Sequence, residues 1–529
     1  MTGLVRFQAV VLLLALSPPL IAAELRVPAD HSTIQEAIDA ATAGDIVLVA
    51  RGTYRERVQL RAGIVLRSEG DDAMGTLGLQ RAESTIIDGS GGDENAPGVA
   101  MAEDATLDGF TITGVGRYDE DAWNQHYATR GDEQTYDRIG KPGVAGISVI
   151  RIAHCTVRNS IVHHVGYTGI VTMGSEEMRV APHLLNNVCY RNMGGGIGAM
   201  LHSAPVIEAN TCFENFYAGI GHATQAQPLV LNNICYGNIR AGIGISENAK
   251  PVVRGNRCYH NRRAGIGCRD GAAPLLEDND CFENGMAGIG CDGSGEVTIR
   301  HNRCLANQEA GIGIRGGGKA LVMDNECRDN ALVGIGLEEA ASAVLTHNTC
   351  AENKTVGIAL RHHSQALIHH NTLSREGGMP PMIAVLEGSS AVIRENVLSG
   401  GGVAGVLLSG EATVADNTFH GNGPRQTAVP PNYAVWVQEG SRVTFTDNQV
   451  DGWRHGLLAS KAERVRADGN TIRNFREAAI VITDSQLPTH ATDNLALSDD
   501  ETTECVRLKG PQGVVSGNIR RAPETAPTN

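Results

Sequence analysis

The chain has 529 residues and a net charge of −15, with 64 glycines and only 4% aromatic residues. This acidic balance leaves no excess of Lys or Arg to displace phosphate counterions, which argues against nucleic acid and anionic membranes as partners. Abundant glycine and a scarcity of helix-periodic runs favour a turn-rich β architecture.

The first segment, residues 1–23, has the pattern of a secretory signal peptide. Arg6 precedes an apolar run from Ala9 to Leu16, and the segment ends in small residues at Ala22 and Ala23. The run is too short to span a bilayer, and no later stretch reaches the roughly 18 apolar residues of a membrane-spanning helix. We therefore expect a cleaved signal and a secreted or periplasmic protein, in a compartment where disulfides can form.

Residues 24–60 are expected to form an N-terminal cap and a first coil. The stretch from Ile34 to Ala41 is the one clear amphipathic helix, with Ser32 or Thr33 as N-cap and Glu36 where a capping box places it. A helix at this position would cover the open end of a repeat stack, whose unpaired strand edge otherwise invites aggregation.

The central part of the chain repeats every 23 residues. A Cys, an Asn two residues before it, an Asn three residues after it and a Gly-Ile pair seven residues after it all recur in register. The cysteines are Cys189, Cys212, Cys235, Cys258, Cys281, Cys304, Cys327 and Cys350. Such a period predicts a solenoid, here an all-β parallel β-helix of about 18 to 20 coils over residues 61–520, followed by a disordered tail at 521–529.

The alternation of strand side chains assigns faces within a coil. In Asn256-Arg257-Cys258-Tyr259, Asn and Cys share one side and Arg and Tyr share the other. Small apolar Cys columns belong inside, so we expect an interior Asn ladder and outward Arg columns. These Arg columns alternate with Asp or Glu from coil to coil, so we expect them to be neutralised in place.

Two motifs resemble known families. The segment Ser32–Asp39 with Gly44-Asp45 and Gly52-Thr53-Tyr54 resembles the N-terminal cap of pectin-lyase-like right-handed parallel β-helix proteins. The Asn-x-Cys-x-x-Asn…Gly-Ile repeat is similar to the carbohydrate-binding and sugar-hydrolase repeats of alginate C5-epimerases, periplasmic copper-accessory proteins and F-box β-helix proteins. The motifs cover residues 24 to 520 and specify the fold better than the function, because one scaffold hosts unrelated sites.

The cysteine column leaves three interpretations open: buried free thiols, cross-coil disulfides and a buried metal column. Stacked Cys side chains run parallel and would have to twist toward each other to form a disulfide. The 23-residue spacing matches no CxxC metal site. We expect inward and mostly reduced thiols and no metal-ligand set, and the sequence identifies no cofactor.

A row of aromatic residues follows the cysteines on the outward side of the strand. Such a row could hold sugar rings, or its members could pack on each other and shield the coil edge. The row consists of Tyr190, Phe213, Tyr236, Tyr259 and Phe282.

The longest interruption of the repeat is an inserted loop at residues 113–145. A loop of this length in a compact array is usually functional or disordered, and its aromatic residues argue against disorder. The coil that follows carries His163 and His164, and His163 falls in the aromatic column one coil before Tyr190. We expect the loop, the His pair and the aromatic row to converge on one site.

This site has two candidate chemistries. Proton abstraction beside a uronate carboxylate would use His163 or His164 as base and Arg138 or Lys141 as cation. Glycosidic hydrolysis needs two carboxylates, for which Asp119, Glu120, Asp121 and Asp137 are available. Trp123 is a further candidate for substrate contact. The Asp-Pro-His-Asp segment of alginate epimerases is absent, which argues against that enzyme class.

The sequence therefore predicts an exported protein that binds or modifies an extracellular polysaccharide. The alternatives are a non-catalytic structural or surface solenoid and a periplasmic metal-handling accessory protein, such as one that handles copper. We expect a monomer. His222 falls in an inward column and is expected to be a core histidine with its hydrogen bonds satisfied.

Overall fold

The structure is a computed structural model that describes residues 22–72, 75–91, 93–131, 144–293 and 295–523. Nearly every coil contributes three short strands, and each strand pairs in parallel with its equivalent one coil further along. The chain thus winds into three parallel sheets of 20, 19 and 18 strands. The predicted parallel β-helix is confirmed. Its number of coils, about 21, is slightly above the expected 18 to 20.

Sheet A precedes the Asn-containing turn of each coil. Its strands are Glu24–Val27, Ile46–Val49, Val65–Ser68, Thr106–Asp108, Thr156–Arg158, His183–Leu185, Val206–Glu208, Leu229–Leu231, Val252–Arg254, Leu275–Glu277, Glu296–Arg300, Lys319–Met323, Ser342–Thr346, Gln365–His369, Ser390–Arg394, Glu411–Ala415, Arg442–Thr446, Arg464–Asp468, Thr489–Thr492 and Gln512–Ser516.

Sheet B carries the repeated cysteines. Its strands are Gly52–Tyr54, Thr85–Asp88, Thr111–Thr113, Ile161–His163, Val188–Tyr190, Thr211–Phe213, Ile234–Tyr236, Arg257–Tyr259, Asp280–Phe282, Arg303–Leu305, Glu326–Arg328, Thr349–Ala351, Thr372–Arg375, Val397–Gly400, Thr418–Gly421, Gln449–Asp451, Thr471–Arg473, Leu495–Leu497 and Ile519–Arg521.

Sheet C carries the Gly-Ile pairs. Its strands are Val58–Gln59, Val99–Ala100, Ile147–Ile150, Ile170–Met173, Ile197–Met200, Ile220–His222, Ile243–Ile245, Ile266–Arg269, Ile289–Asp292, Ile312–Arg315, Val333–Leu337, Val356–Leu360, Ile383–Val385, Ala404–Leu408, Tyr433–Val437, His455–Ser460, Ala478–Thr483 and Glu504–Lys509.

The described residues contain three short helices: α1 (Ile34–Ala40), α2 (Gln80–Ser84) and α3 (Glu120–Ala128). The predicted N-terminal helix is α1. Thr33 is its N-cap, accepting a 3.1 Å hydrogen bond from the Glu36 amide, while the Glu36 carboxylate accepts from the Ser32 amide and hydroxyl. Its buried face packs on the first strands and covers that end of the stack. The sequence predicted neither α2 nor α3. No helix of the described ranges is long and apolar enough to span a membrane.

Two ladders of buried Asn side chains run inside the turns. Each Asn Nδ2 donates to the Oδ1 of the Asn one coil further on, at 2.9 to 3.0 Å in the central coils. The first ladder is longer than the 23-residue period predicts. Its members are Asn187, Asn210, Asn233, Asn256, Asn279, Asn302, Asn325, Asn348, Asn371, Asn396, Asn417, Asn448, Asn470, Asn494 and Asn518.

Charged columns on the outside of the sheets pair along the axis, as the sequence predicts. Glu277 bonds both Arg254 and Arg300, at 2.5 and 2.6 Å. Arg303 lies between Asp280 and Glu326 in the same way. The arginines of these columns are neutralised by their neighbours and present no basic surface.

His222 lies inside the stack, 2% exposed, between Ala199 and Ile245 in the inward column of sheet C. The burial was predicted, but satisfied hydrogen bonds were not found: neither ring nitrogen has a hydrogen-bond partner among the described residues. Burial lowers the pKa of His222 to about 3. The imidazole is therefore neutral at physiological pH.

All twelve cysteines of the chain are buried free thiols. Burial raises the pKa of Cys212 and Cys235 well above the usual range, whereas hydrogen bonds with the Cys281 and Cys327 thiols lower the pKa of Cys304 to about 5. All of these side chains are fully enclosed in the stack, where a reagent does not reach the sulfur. We expect essentially no reaction of the native protein with a thiol reagent. In denaturant without reductant we expect close to twelve free thiols, and a count of two or fewer would show a disulfide-linked ladder.

Candidate functional site

The aromatic row of sheet B forms a continuous stack on the outside of the coils. The stack starts at His163, whose ring lies 4.9 Å from that of Tyr190. From Tyr190 to Phe282 the neighbouring ring centroids are 4.8 to 5.1 Å apart and the planes lie within 8° of parallel. All six side chains are half-buried. We call this row, His163, Tyr190, Phe213, Tyr236, Tyr259 and Phe282, the aromatic ladder.

Stacking decides which part of each ring a ligand can reach. Each ring face lies against the next ring at the coil spacing, so no sugar ring fits between two members. The accessible parts are the ring edges and, at Tyr190, Tyr236 and Tyr259, the phenol hydroxyls. Tyr combines an apolar body with a polar tip of this kind, and burial raises the pKa of Tyr190 and Tyr236, so both keep their proton.

One side of the aromatic ladder is bordered by α2 and the residues before it. Leu79 and Ala82 pack on the outward residues Ile161 and Val188 of sheet B, next to Tyr190 and Phe213. Arg81 holds this segment, because its buried guanidinium bonds Asp72 at 2.7 Å and Asp108 at 2.6 Å. The segment covers the start of sheet B and leaves the later rings open.

The other side is bordered by α3, which lies in the described part of the inserted loop. Asp119 caps this helix by accepting a 3.0 Å hydrogen bond from the Ala122 amide. Ala122 and Trp123 pack on Met193, Phe216 and Ile239, which occupy the same turn in three successive coils. Nine residues at 1.5 Å each give a helix of about 13.5 Å, close to the three steps of about 4.8 Å between the coil of Arg191, which bonds Glu120 of α3, and the coil of Arg262, which bonds Tyr127. The helix therefore runs along the solenoid axis.

Arginines of two coils hold α3 in place. The Arg191 guanidinium lies 4.3 Å from the Trp123 ring and bonds Glu120 at 2.7 Å and Glu214 at 2.8 Å. Arg262 donates to the Tyr127 carbonyl at 3.0 Å, and Arg263 donates to the Gly131 carbonyl at 2.8 Å. These contacts hold α3 beside the aromatic ladder, and the two carboxylates neutralise Arg191.

The His pair lies where the aromatic ladder meets α3. His164 has a φ of 53°, and this left-handed residue turns its side chain to the same side as that of His163. Their Nδ1 atoms are 2.8 Å apart, and the His164 ring meets the Tyr118 ring edge-on at 4.5 Å. Burial, and then the neighbouring His164, lowers the pKa of His163 to about 4. His163 is therefore a neutral imidazole at pH 7.

Tyr118 and Glu120 complete the cluster. Burial, and then the contact with Glu120, raises the pKa of the Tyr118 phenol far above its usual value. The same phenol, more than any other group, lowers the pKa of Glu120, and Arg191 adds to the effect. Tyr118 is thus protonated and Glu120 ionised at neutral pH.

The predicted site residues divide into three groups. His163, His164 and the aromatic row lie together, as the sequence predicts. Trp123 is only 3% exposed and lies beneath Arg191, so it holds α3 and offers no ring face to a ligand. Asp137, Arg138 and Lys141 lie outside the described residues.

The sequence offered Glu120 only as one of the loop carboxylates, and it gave no role in the cluster to Arg191, Glu214 or Tyr118. Arg191 and Glu214 carried a usable signal, because they are opposite charges 23 residues apart, one coil spacing. Tyr118 carried none, because the path of the inserted loop has no repeat to define it. Within the described ranges, no three His, Cys, Asp or Glu side chains surround a common point as metal ligands would.

Comparison with known proteins gives one family and a set of distant structures. The model of the right handed beta helix region matches residues 135–279, 251–380 and 381–503. No curated protein matches the chain. The A-module of the Azotobacter vinelandii mannuronan C-5 epimerase AlgE6 is 16% identical, with 68% of this chain and 94% of that chain covered and a TM-score of 0.46.

Two other solved structures are similar at the same distant level. The periplasmic alginate epimerase AlgG is 12% identical, with 66% of this chain and 83% of that chain covered and a TM-score of 0.40. The PL6 family alginate lyase AlyGC is 11% identical, with coverage of 90% and 89% and a TM-score of 0.35. At these scores the function has to be argued from this chain's own residues.

Proposed function

The chain belongs to the right-handed β-helix family, and we propose that it is an exported protein that binds an extracellular polysaccharide along the aromatic ladder. The observation that carries this proposal is the uninterrupted row of six half-buried rings, which α2 borders at its start and α3 borders along part of its length. The signal-like sequence of residues 1–23 supports export.

The dimensions of the aromatic ladder favour an extended polymer over a small molecule. Five steps of about 4.8 Å give a row of roughly 24 Å parallel to the axis. A linear glycan lying along this row contacts ring edges with its apolar face and the hydroxyls of Tyr190, Tyr236 and Tyr259 with its own hydroxyls. The repeat thus gives one equivalent contact per coil.

The local charges favour a neutral or lightly charged glycan. Arg191 is already bound by Glu120 and Glu214, and the Arg columns elsewhere are paired along the axis. A strongly anionic glycan would need a patch built from Arg130, Arg138 and Lys141, of which only the exposed Arg130 lies in the described part of the chain.

A second candidate activity is modification of the bound glycan by proton abstraction. It is favoured by the neutral imidazole of His163, which lies beside His164 at one end of the aromatic ladder and can accept a proton. Hydrolysis is less well supported, because both Glu120 and Glu214 are bound to Arg191. With its pKa lowered, Glu120 has no proton to donate at neutral pH.

The proposal is tested by glycan-array binding of the mature protein and of a variant with Tyr190, Tyr236 and Tyr259 all changed to Ala. Stacking on one aromatic residue contributes about 1–3 kcal/mol in nucleic-acid binding, and a sugar edge contact contributes less. Removing the three rings together should weaken binding at least about tenfold, because every 1.4 kcal/mol is a factor of ten.

The triple Tyr→Phe variant is the matched control, because it keeps the stacked rings and removes only the hydroxyls. Binding intermediate between wild type and the Ala variant is expected if both edges and hydroxyls contribute. Unchanged glycan retention in the Ala variant would contradict the proposal and leave a structural solenoid as the function.

A further inference from the structure

A second histidine cluster lies on the turn between sheets A and B, far along the stack from the aromatic ladder. It consists of His347, His369 and His370, with Thr346 and Glu395 beside them. The rings of His347 and His370 are 5.1 Å apart and those of His369 and His370 are 5.2 Å apart. The 23-residue pattern gives no reason for three imidazoles here.

Backbone conformation explains why two consecutive histidines lie side by side. His369 ends the strand Gln365–His369, and in an extended strand the next side chain would point to the opposite face. His370 instead has a φ of 55°, the left-handed conformation of this turn. The two Nδ1 atoms therefore approach to 2.9 Å.

The carboxylate of Glu395 determines which ring nitrogen of a neutral His370 carries the proton. Its Nε2 lies 2.8 Å from a carboxylate oxygen of Glu395, and the other oxygen of Glu395 accepts a hydrogen bond from Arg394. An ionised Glu395 only accepts hydrogen bonds, so Nε2 carries the proton and Nδ1 presents its lone pair toward His369. Histidines that bind metals usually donate their second N–H to a carboxylate in this way.

The nitrogen spacing fits two adjacent ligands of one ion. Two imidazole nitrogens at about 2.05 Å from a metal and at a right angle to each other are about 2.9 Å apart. In the metal-free protein the same spacing accommodates a hydrogen bond from His369 Nδ1–H to His370 Nδ1. A small rotation of each exposed ring converts one arrangement into the other.

We propose that His369 and His370 chelate one divalent transition-metal ion, Cu²⁺, Ni²⁺ or Zn²⁺, through their Nδ1 atoms. The ion replaces the proton on His369 Nδ1, and the ring stays neutral by carrying a proton on Nε2. Because no three ligating side chains surround one point in the described residues, water fills the other coordination positions.

The charges around the pair favour a cation at neutral pH. Glu395 and, one coil further along the same turn, Asp416 contribute negative charge, and Arg394 alone opposes it. The preceding coil contributes the His347 ring and the uncharged Thr346 hydroxyl.

The pair at His163 and His164 has a similar 2.8 Å approach but a different environment. It is more deeply buried, and within the described ranges no carboxylate oxygen is hydrogen-bonded to either ring. An ion bound there would have to lose more of its water and would lack a carboxylate partner, so the surface pair is the preferred site.

The test is calorimetric titration of the untagged mature protein with Ni²⁺ or Zn²⁺ at pH 7.5, together with electron paramagnetic resonance after one equivalent of Cu²⁺. We expect one tight site and a spectrum with two imidazole nitrogens. The double variant His369→Ala, His370→Ala should lose at least about tenfold in affinity, and Glu395→Gln should lose about 10- to 100-fold.

The matched control is His362→Ala, His363→Ala, a consecutive exposed pair on another turn of the preceding coil. This variant should bind like wild type. Equal affinity in the His369, His370 double variant, or fewer than two nitrogens in the copper spectrum, would overturn the proposal. Unchanged affinity in Glu395→Gln would remove the role assigned to the carboxylate. Circular dichroism checks that each variant keeps the fold.

Discussion

Replacing His222 with leucine is expected to stabilise the protein in acid, by up to about 5 kcal/mol near pH 3 relative to wild type. His222 lies inside the stack, and its pKa falls from the usual 6.5 to about 3 because burial disfavours the charged ring. The unfolded chain takes up a proton near pH 6.5, whereas the folded chain does so only near pH 3.

The difference between the folded and unfolded pKa values fixes the direction of the pH dependence of stability. The contribution of His222 to stability is complete above pH 6.5 and is lost as the pH falls from 6.5 toward 3, by about 1.4 kcal/mol per pH unit. Leucine has no proton to gain, and its neighbours in the column, Ala199 and Ile245, are apolar. The variant should therefore lack this part of the acid sensitivity.

The measurement is the free energy of unfolding in urea at several pH values between 4 and 8 for wild type and His222→Leu. The exposed His490→Leu is the matched control and should leave the slope unchanged. Parallel pH profiles for wild type and His222→Leu would show that the ring is hydrated or hydrogen-bonded inside the stack.

Replacing Asn233 with alanine should destabilise the protein by about 2–6 kcal/mol, because the buried Asn210 amide and Ile207 carbonyl lose the partners that this side chain supplies, at about 1–3 kcal/mol each. Asn233 Oδ1 accepts from the Asn210 amide at 2.9 Å and from Asn210 Nδ2 at 3.0 Å. Its own Nδ2 donates to the Ile207 carbonyl at 2.9 Å and to Asn256 Oδ1 at 2.9 Å. Alanine supplies none of these groups.

Asn232→Gly is the control for this variant. Asn232 precedes Asn233 in the same turn but is exposed, and its φ of 54° suits glycine. We expect little change in the urea midpoint for Asn232→Gly and a large decrease for Asn233→Ala. Equal midpoints for the two variants would mean that the interior amide ladder does not stabilise the stack.

Much of the candidate site could be predicted because it repeats. The outward register of Tyr190 and the position of His163 in the same column follow from the alternation of strand side chains and a constant coil length. The sequence left two interpretations of the aromatic row open. Each ring face could be covered by a sugar ring or by the next aromatic ring. The observed plane angles of at most 8° along Tyr190–Phe282 decide for the next ring.

Residues outside the repeat could not be placed in the same way. The position of α3 depends on Arg191 and Arg262, which contact it from coils 71 and 135 residues away along the chain. Only the folded stack brings these arginines into one line. For the same reason Trp123 looked like a ligand contact in the sequence and is a buried anchor in the structure.

The solenoid, the inward Cys and Asn columns, the outward charge pairing and the N-terminal capping helix could all be predicted from the amino-acid sequence. This was possible because a strict period ties every residue to its equivalent one coil away. The continuation of the Asn ladder to Asn518 and the side-by-side placement of His369 and His370 became visible only in the folded stack. The spacing of the later Asn residues varies as turns lengthen and shorten, and the His pair depends on a left-handed backbone conformation. Both are set by packing between coils, which local sequence does not encode.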